Sequence, residues 1–182
     1  MEETKLAARA RAGDTAAYER LVRMHQAVAF RAAYLVTGDA PEAEDATQEA
    51  FVKAYRALDR FRPGGPFRPW LLAIVTNEAR NRRRSAGRRA KLSLQVAAED
   101  HTVTAPVSPE AALVAAERRD ELLASVGELS EGERLVISYR YFLGLSEEET
   151  ATTLGCARGT VKSRASRAIA RLRKAMAREE DA

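Results

Sequence analysis

The stretch that decides the fold is LSEEETATTLGCARGTVKSRASRAIARLRKAM, residues 145–176. Ser146 followed by Glu149 is the pattern of a capping box, so a helix is predicted to begin directly after the serine. Gly155 supplies the residue that most easily adopts the left-handed backbone at which a helix ends. A second helix is predicted from Thr160 onward, after a short turn.

The second helix of this stretch separates apolar side chains from basic ones. Its apolar positions recur at helical spacing and are expected to pack inward: Val161, Ala165, Ala168, Ile169, Leu172 and Met176. Residues 155–178 contain eight Lys or Arg and neither Asp nor Glu. The spacing of Ala151, Gly155 and Val161 puts a small residue at the helix crossing, a glycine at the bend and an aliphatic side chain in the core. These are the requirements of a helix-turn-helix.

This pattern predicts a recognition helix that lies in the major groove of DNA. The first residues of such a helix meet base edges, and its later arginines contact phosphates. A solvated basic face on a C-terminal helix is the plainer alternative. The DNA sequence that the helix would recognise does not follow from these residues.

The composition of the whole chain favours an all-α protein. Its 182 residues suffice for one ordinary domain or for two small ones. Ala, Arg, Glu and Leu dominate, and no stretch alternates between apolar and polar residues in the manner of a strand. The net charge of +4 and the isoelectric point near 9.4 fit an anionic partner.

Three features of the sequence bear on the cellular compartment. Cys156 is the single cysteine and cannot form an internal disulfide, so nothing indicates secretion. The longest apolar run, residues 70–75, is far shorter than the roughly 20 residues of a membrane-spanning helix. The charged residues Glu2, Glu3 and Lys5 do not fit a signal peptide. We therefore predict a cytoplasmic protein without membrane insertion.

The N-terminal part of the chain predicts three helices. A short first helix ends at Gly13, and Asp14 caps a second helix that runs to Gly38. His25 lies on the apolar stripe of the second helix and is expected to be a packed histidine, not a metal ligand. A third helix begins near Pro41, whose fixed φ suits a first helical position. Its predicted core face consists of Ala46, Ala50, Phe51, Ala54, Tyr55 and Leu58.

Acidic residues cluster at the start of the third helix. Residues 39–49 contain five acids and no base, and the helical pattern leaves Asp45, Gln48, Glu49 and Val52 facing outward. Interaction with the helix dipole explains these acids as well as a binding partner does. Both explanations stay open from the charges alone.

A loop and a basic helix follow. The loop, residues 61–69, contains three prolines and two glycines and cannot continue a helix. The next helix restarts at Trp70, which is expected in the core. Residues 80–91 then contain seven Lys or Arg and no acid, which a solvated helix end or a nonspecific anionic patch would explain. Beside Phe61 and Phe67 the run fits a single-strand site better, because bases stack on aromatic rings while arginines follow phosphates.

The remaining sequence predicts a flexible linker and a second module. An extended linker over residues 91–107 would span at most about 60 Å, more than the roughly 34 Å of one DNA turn. Ser108 and Pro109 form a strong helix start, and Ser130 with Glu133 forms another capping box. We predict two small helical domains, residues 1–90 and 108–182, with the helix-turn-helix in the second.

Four segments follow one another in a specific order: DATQEAFVKAYRALDRF at residues 45–61, Trp70-Leu-x-x-Ile-x-x-Asn77, Leu129-Ser-x-x-Glu-Arg, and GCARGTVKSR at residues 155–164. This order resembles the extracytoplasmic-function group of bacterial sigma factors, of the sigma-70 family. The resemblance covers nearly the whole chain. It rests on the order of the segments, since a helix-turn-helix alone is common.

The resemblance implies a role for each part of the N-terminal domain. In that family the helix that carries Asp45, Gln48 and Glu49 docks on the coiled coil of the RNA polymerase β′ subunit. The region around Phe61 and Asn77 corresponds to the element that captures a flipped non-template base of the minus-10 element. Unstacking a base costs a few kcal/mol, which a pocket for the flipped base offsets.

The resemblance also implies further DNA contacts and the partners. Arg80, Arg83 and Arg84 would hold the melted strand. The recognition-helix positions that meet the minus-35 element are Lys162, Ser163, Arg164, Ser166 and Arg167. The implied partners are core RNA polymerase, through its β′ and β subunits, promoter DNA and an anti-sigma protein. No catalytic residue, metal or cofactor is implied.

The sequence departs from the family pattern at two places. Prolines and glycines occupy the capture loop, which is commonly richer in small polar residues: Pro63, Gly64, Gly65, Pro66 and Pro69. The base captured at minus-10 is therefore not predicted. Thr150 and Thr153 stand where aliphatic residues are usual, so the core of the second module is expected to be less stable.

Two other hypotheses compete with a sigma factor. One is a stand-alone helix-turn-helix regulator whose N-terminal half is a sensor or dimerisation domain. The other is an enzyme that acts on nucleic acids, with Asp39, Glu42 and Asp45 as metal ligands. The enzyme hypothesis is the weakest, because the sequence shows no set of nucleophile, base and orienting group.

Overall fold

A computed structural model describes residues 2–92, 126 and 128–180. This part of the chain is helical and contains no strand, which confirms the predicted all-α class. Most of the predicted linker and the predicted helix start at Ser108 lie outside the described residues. The helices are α1 (Glu2–Arg11), α2 (Thr15–Thr37), α3 (Ala40–Arg56), a 3-10 turn (Leu58–Arg60), α4 (Phe67–Leu92), α5 (Glu131–Ile137), a π-helical segment (Ser138–Phe142), α6 (Glu147–Leu154) and α7 (Arg158–Glu180).

Helix α2 begins and ends at its predicted capping residues, and α3 also begins at a capping aspartate. The carboxylate of Asp14 accepts a hydrogen bond of 3.0 Å from the backbone N–H of Ala17. At the other end of α2, Gly38 adopts the left-handed conformation with φ of 71°. Asp39 caps α3 by accepting a hydrogen bond of 2.8 Å from the N–H of Glu42. These local bonds satisfy backbone donors that a helix start leaves free.

The helix-turn-helix forms as its sequence predicts. Ser146 and Glu149 make a reciprocal capping box, with Ser146 N–H 2.7 Å from the glutamate and Glu149 N–H 3.1 Å from the serine. Gly155 ends α6 in the left-handed conformation, with φ of 62°. Val161 and Ala168 of α7 are buried against the rest of the module. Cys156 is half-buried and packs beside this core.

The core of the N-terminal module lies between α2, α3 and α4. Fully buried alanines let α2 and α3 approach closely: Ala29, Ala32, Ala33, Ala43, Ala46, Ala50 and Ala54. His25 is buried with its Nε2 2.8 Å from Glu3 Oε1, which confirms it as a packed histidine. Burial lowers the pKa of His25, although the neighbouring Glu3 carboxylate acts in the opposite direction. Within the described residues no helix is long and apolar enough to cross a membrane.

Three expectations about individual residues are wrong. Helix α4 begins at Phe67, before Trp70, because a proline in the first turn, here Pro69, interrupts no intrahelical hydrogen bond. Tyr55 is 44% exposed and lies against the Tyr18 ring with 4.9 Å between centroids. The apolar spacing after the Ser130 capping box predicts Phe142 on the inner face of its helix, but Phe142 is 64% exposed, since the wider turn of the π-helical segment rotates it away from the core.

The two modules contact each other through α4, α6 and the π-helical segment. The hydroxyl oxygens of Tyr139 and Thr76 are 2.5 Å apart. The Thr153 hydroxyl donates a hydrogen bond of 3.2 Å to the carbonyl of Pro69. The Arg68 guanidinium donates to the carbonyl of Leu143. The second module therefore lies over the beginning of α4.

Glu133 forms the capping box at the start of α5 together with Ser130. It is buried, and its carboxylate is 2.7 Å from the Ser130 hydroxyl and 2.9 Å from Arg171. The Ser130 hydrogen bond is the main reason why the pKa of Glu133 is lowered from 4.5. A lowered folded-state pKa stabilises the fold above the unfolded-state pKa, and this stabilisation disappears as the pH falls through the folded-state pKa.

We expect Glu133→Gln to lower the free energy of unfolding by about 1–2 kcal/mol at neutral pH, because the charged acceptor is lost. The measurement is urea denaturation of the full chain between pH 7 and pH 3. The difference from the parent chain should shrink below pH 4.5, the ordinary pKa of glutamate. Glu128→Gln, at an exposed position, is the matched control. A difference that is independent of pH would contradict the role of the charge.

Candidate nucleic-acid and polymerase interfaces

One face of α4 carries the residues predicted to contact the minus-10 element. Asn77, Arg80 and Arg84 are three, four or seven residues apart, and this spacing puts them on the same side of a helix. Asn77 and Arg84 are exposed. Arg80 Nε lies 3.2 Å from Glu131 Oε1, and Arg83 Nη1 lies 3.3 Å from Glu131 Oε2. These residues therefore lie together on one side of α4. Two of its arginines, Arg80 and Arg83, are paired with Glu131 of the second module.

Arg82 belongs to a different surface from the other arginines of this run. Its Nη1 is 2.8 Å from Asp45 Oδ2 and 3.3 Å from Glu42 Oε2. The sequence alone gives no sign of this pairing, because the partners are some forty positions away in the chain. The ion pairs join the acidic start of α3 to α4, so part of the acidic cluster has a structural use.

The aromatic rings of the loop are buried. Phe61 is 5% exposed and Phe67 is 1% exposed. The Phe61 ring lies 5.7 Å from Phe67 and 5.0 Å from Trp70, measured between centroids. The prediction that Phe61 and Phe67 offer stacking surfaces for bases is wrong, because both rings are buried and pack against one another. Trp70 packs against the core, as predicted.

The loop backbone forms one wall of a cleft of about 640 Å³. Gly64 has a φ of 73°, and a Cβ on Gly65 would come within 3.1 Å of the Arg62 carbonyl. Both positions therefore favour glycine. The opposite wall belongs to α6 and includes Glu148 and Glu149. Carboxylates on that wall oppose the approach of a phosphate backbone while the modules are in contact.

The outer face of α3 adjoins an apolar groove. Asp45 and Gln48 are exposed, and Glu49 is half-buried at 3.7 Å from Lys53 Nζ. A cleft of about 370 Å³ between α2 and α3 is lined by Val22, Gln26, Phe30, Glu44, Thr47, Gln48 and Phe51. Phe30 remains 38% exposed beside it. Exposed aromatic surface next to charged residues is typical of a protein-binding site.

The acidic residues of this region do not form a metal site. Asp39 caps α3, and Asp45 is paired with Arg82. Across residues 2–92 and 128–180, no three His, Cys, Asp or Glu side chains are grouped so that they could hold an ion. The hypothesis of an enzyme that acts on nucleic acids through these acids as metal ligands gains no support from this geometry.

The predicted minus-35 residues occupy the first half of α7. Lys162, Ser163, Ser166 and Arg167 are exposed, while Arg164 is half-buried with its guanidinium close to Gly132. The Ser163 hydroxyl donates to the carbonyl of Thr160 at 3.1 Å. Arg167 Nε is 3.5 Å from the buried Glu133. The buried Val161 and Ala168 fix the opposite side of the helix, so the basic side faces outward.

Comparison with known proteins places both modules in one family. The model of Sigma-70 region 2 matches residues 21–89, and the model of Sigma-70, region 4 matches residues 119–172. The chain is 38% identical to the RNA polymerase sigma-H factor of Pseudomonas aeruginosa, over 96% of this chain and 94% of that protein. It is 36% identical to the ECF RNA polymerase sigma-E factor of Escherichia coli K12, over 90% and 88%.

Two solved structures resemble the fold of this chain over most of its length. CnrH in complex with the cytosolic domain of CnrY has a TM-score of 0.71 and 29% identity, with 97% of each chain covered. The sigma factor RpoE in complex with the anti-sigma factor NepR from Bartonella quintana has a TM-score of 0.70 and 27% identity, with 87% of this chain and 96% of that chain covered.

The region 2 match lies on the N-terminal module and the region 4 match on the module that contains the helix-turn-helix. The likeness extends over both modules and nearly the full length of the curated relatives. A stand-alone regulator with an unrelated N-terminal domain is not favoured by this result. The chain belongs to the extracytoplasmic-function group of the sigma-70 family and is an RNA polymerase sigma factor for transcription initiation.

Proposed function

We propose that the two modules divide the work of promoter recognition between them. The N-terminal domain, residues 1–90, docks on core RNA polymerase and captures the minus-10 element. The C-terminal domain, residues 108–182, binds the minus-35 element, and residues 91–107 connect the two. The observation that carries this proposal is that the exposed basic side of α7 and the Asn77 face of α4 lie on separate modules.

The protein acts as a binding subunit, and the chemistry of RNA synthesis belongs to the polymerase. The geometry that supports this assignment is a set of exposed contact surfaces on rigid helices. The proposed site of action is the cytoplasm, where the polymerase works. Reconstitution with core enzyme and a randomised promoter library tests the function directly, since it requires specific initiation and yields the promoter sequence.

The apolar groove beside Gln48 and the outer face of α3 form the proposed surface for the polymerase. Asp45, Gln48 and Glu49 meet the β′ subunit there, and the C-terminal domain meets the β subunit. The solved structures that resemble this chain hold CnrY or the anti-sigma factor NepR. We infer that an anti-sigma protein also binds this chain.

Replacing Lys162 by Ala is expected to reduce initiation at minus-35-dependent promoters by about tenfold, the effect of losing a DNA contact worth about 1.4 kcal/mol. The measurement is transcription in vitro from a promoter selected with the parent chain. Lys174→Ala is the matched control, because that lysine is exposed on α7 about 18 Å further along the helix. Core binding must survive in both variants, and its loss in Lys162→Ala would contradict the assignment.

Replacing Asn77 by Ala is expected to slow promoter opening more than it weakens initial docking, because a captured base is held only after melting. Opening is followed by the fluorescence of 2-aminopurine in the minus-10 element, and docking by mobility shift. Arg31→Ala, at an exposed position of α2 in the same module, serves as the control. Unchanged opening in Asn77→Ala would remove this residue from the capture site.

Reversing the charge of Glu49 by Glu49→Lys is expected to weaken association with core polymerase by at least tenfold. The reason is that a cation replaces the carboxylate that the proposal places at the interface with the polymerase. Association is measured by titration of core enzyme with the labelled chain. Glu19→Lys makes the same change on the exposed surface of α2. Equal affinities of the two variants would show that the α3 face does not bind the polymerase.

A further inference from the structure

The start of α5 lies against a row of arginines on α7. Arg164, Arg167 and Arg171 are three and four residues apart, and this spacing puts them on one side of the helix. The guanidinium of Arg164 lies so close to Gly132 that a Cβ there would come within 3.1 Å of it. Arg167 and Arg171 both pair with Glu133, the residue that follows Gly132. Helix α5 therefore contacts arginines of the helix whose first half the proposed function gives to the minus-35 element.

The two oxygens of the Glu133 carboxylate have different partners. Oε2 accepts hydrogen bonds from the Ser130 hydroxyl at 2.7 Å, the Ser130 N–H at 3.2 Å and Arg171 Nη1 at 2.9 Å. Oε1 lies 3.5 Å from Arg167 Nε. The Glu133 side chain is only 5% exposed, so these contacts fix its position. One oxygen therefore anchors the carboxylate, and the other faces Arg167.

The arginine that faces this carboxylate keeps most of its donors. Arg167 approaches Glu133 through Nε, so the N–H groups of its terminal Nη nitrogens remain available. The Arg167 side chain is 61% exposed, which leaves these nitrogens accessible to a partner. Such a fork of donors matches the N7 and O6 acceptors of a guanine or the oxygens of a phosphate. An arginine held at its Nε presents this fork in one orientation.

The charge of Glu133 alone leads to the opposite expectation. A carboxylate beside phosphates weakens DNA binding, so its removal would tighten binding if only charge mattered. The Ser130 hydroxyl lowers the pKa of Glu133 by its hydrogen bond, so the carboxylate is charged at neutral pH. Attraction between charges acts on any DNA sequence, whereas an oriented side chain at a base edge distinguishes between sequences. The two effects therefore differ in sign and in their dependence on the DNA sequence.

We propose that Glu133 is a positioning residue of the minus-35 surface, which holds the Arg167 guanidinium so that its terminal nitrogens meet the DNA in one orientation. This inference rests on the proposed function, which assigns Arg167 to the minus-35 element. Arg171 supports the arrangement, because its hydrogen bond to Oε2 leaves Oε1 to Arg167. Orienting a side chain before binding reduces the conformational freedom that binding must remove.

Glu133→Gln removes the charge and keeps the capping box, which accepts glutamine as well as glutamate. It is expected to reduce the preference for a promoter with an intact minus-35 element over one with a scrambled element about fivefold, part of the discrimination that one arginine–base contact provides. Binding to the scrambled promoter should stay equal or become tighter, since a negative charge is lost. Glu128→Gln makes the same change at an exposed position and should leave the preference unchanged.

The measurement is competition between the two promoter duplexes for the full chain bound to core polymerase. The intact promoter is the one selected in transcription with the parent chain, and circular dichroism sets a temperature at which every variant is folded. An Arg167→Ala background separates positioning from an effect on the fold. Because Glu133 acts through Arg167, Glu133→Gln should not lower the preference further in that background. A loss that arises from the fold of α5 would persist there.

Three results overturn the inference. They are an unchanged or increased preference in Glu133→Gln, an equal loss with and without Arg167, and an Arg167→Ala variant that itself keeps the full preference. Lys162→Ala in the same competition decides separately whether the proposed function stands. A loss of preference in Lys162→Ala shows that α7 recognises the minus-35 element even where Glu133→Gln has no effect.

Discussion

The beginning of α4 is the point on which both modules depend. The proline- and glycine-rich loop turns the chain so that Phe61, Phe67 and Trp70 pack together there. The Pro69 carbonyl, in the first turn of α4, accepts the hydrogen bond from Thr153 of the second module. A loop rich in small polar residues would lack the rigid φ angles of the prolines, which favour this course of the backbone.

Helix α4 contributes to several surfaces because its sides carry side chains with different partners. Arg82 binds the acidic start of α3, while Arg80 and Arg83 face Glu131. Ion pairs of partly exposed side chains contribute little to stability, and salt screens them. Their main effect is to orient the guanidinium groups and to set which anion occupies them. The Glu131 carboxylate thus contacts Arg80 and Arg83, the arginines that the proposed function assigns to the melted strand.

The sequence predicts the local part of this structure well and the long-range part less completely. Asp14, Asp39 and Ser146 bind backbone groups within three residues, so their positions alone indicate the helix starts. The burial of Phe61 and the pairing of Arg82 depend on residues that only the fold brings close. The exposure of Phe142 depends on a π-helical turn, for which the apolar spacing gives no signal. The basic outer side of α7 follows from its sequence pattern, whereas the DNA sequence that it would bind does not.

Thr150 and Thr153 of α6 stand where aliphatic residues are usual, and both of their hydroxyls have hydrogen-bond partners. The Thr150 hydroxyl donates to Ser146 of its own helix at 2.8 Å, so its burial leaves no free donor. The buried Thr153 has its partner in the other module instead. An aliphatic side chain at 153 would fill the same volume but would leave the Pro69 carbonyl without this donor. The Thr153 hydroxyl is thus buried between the two modules with its donor satisfied.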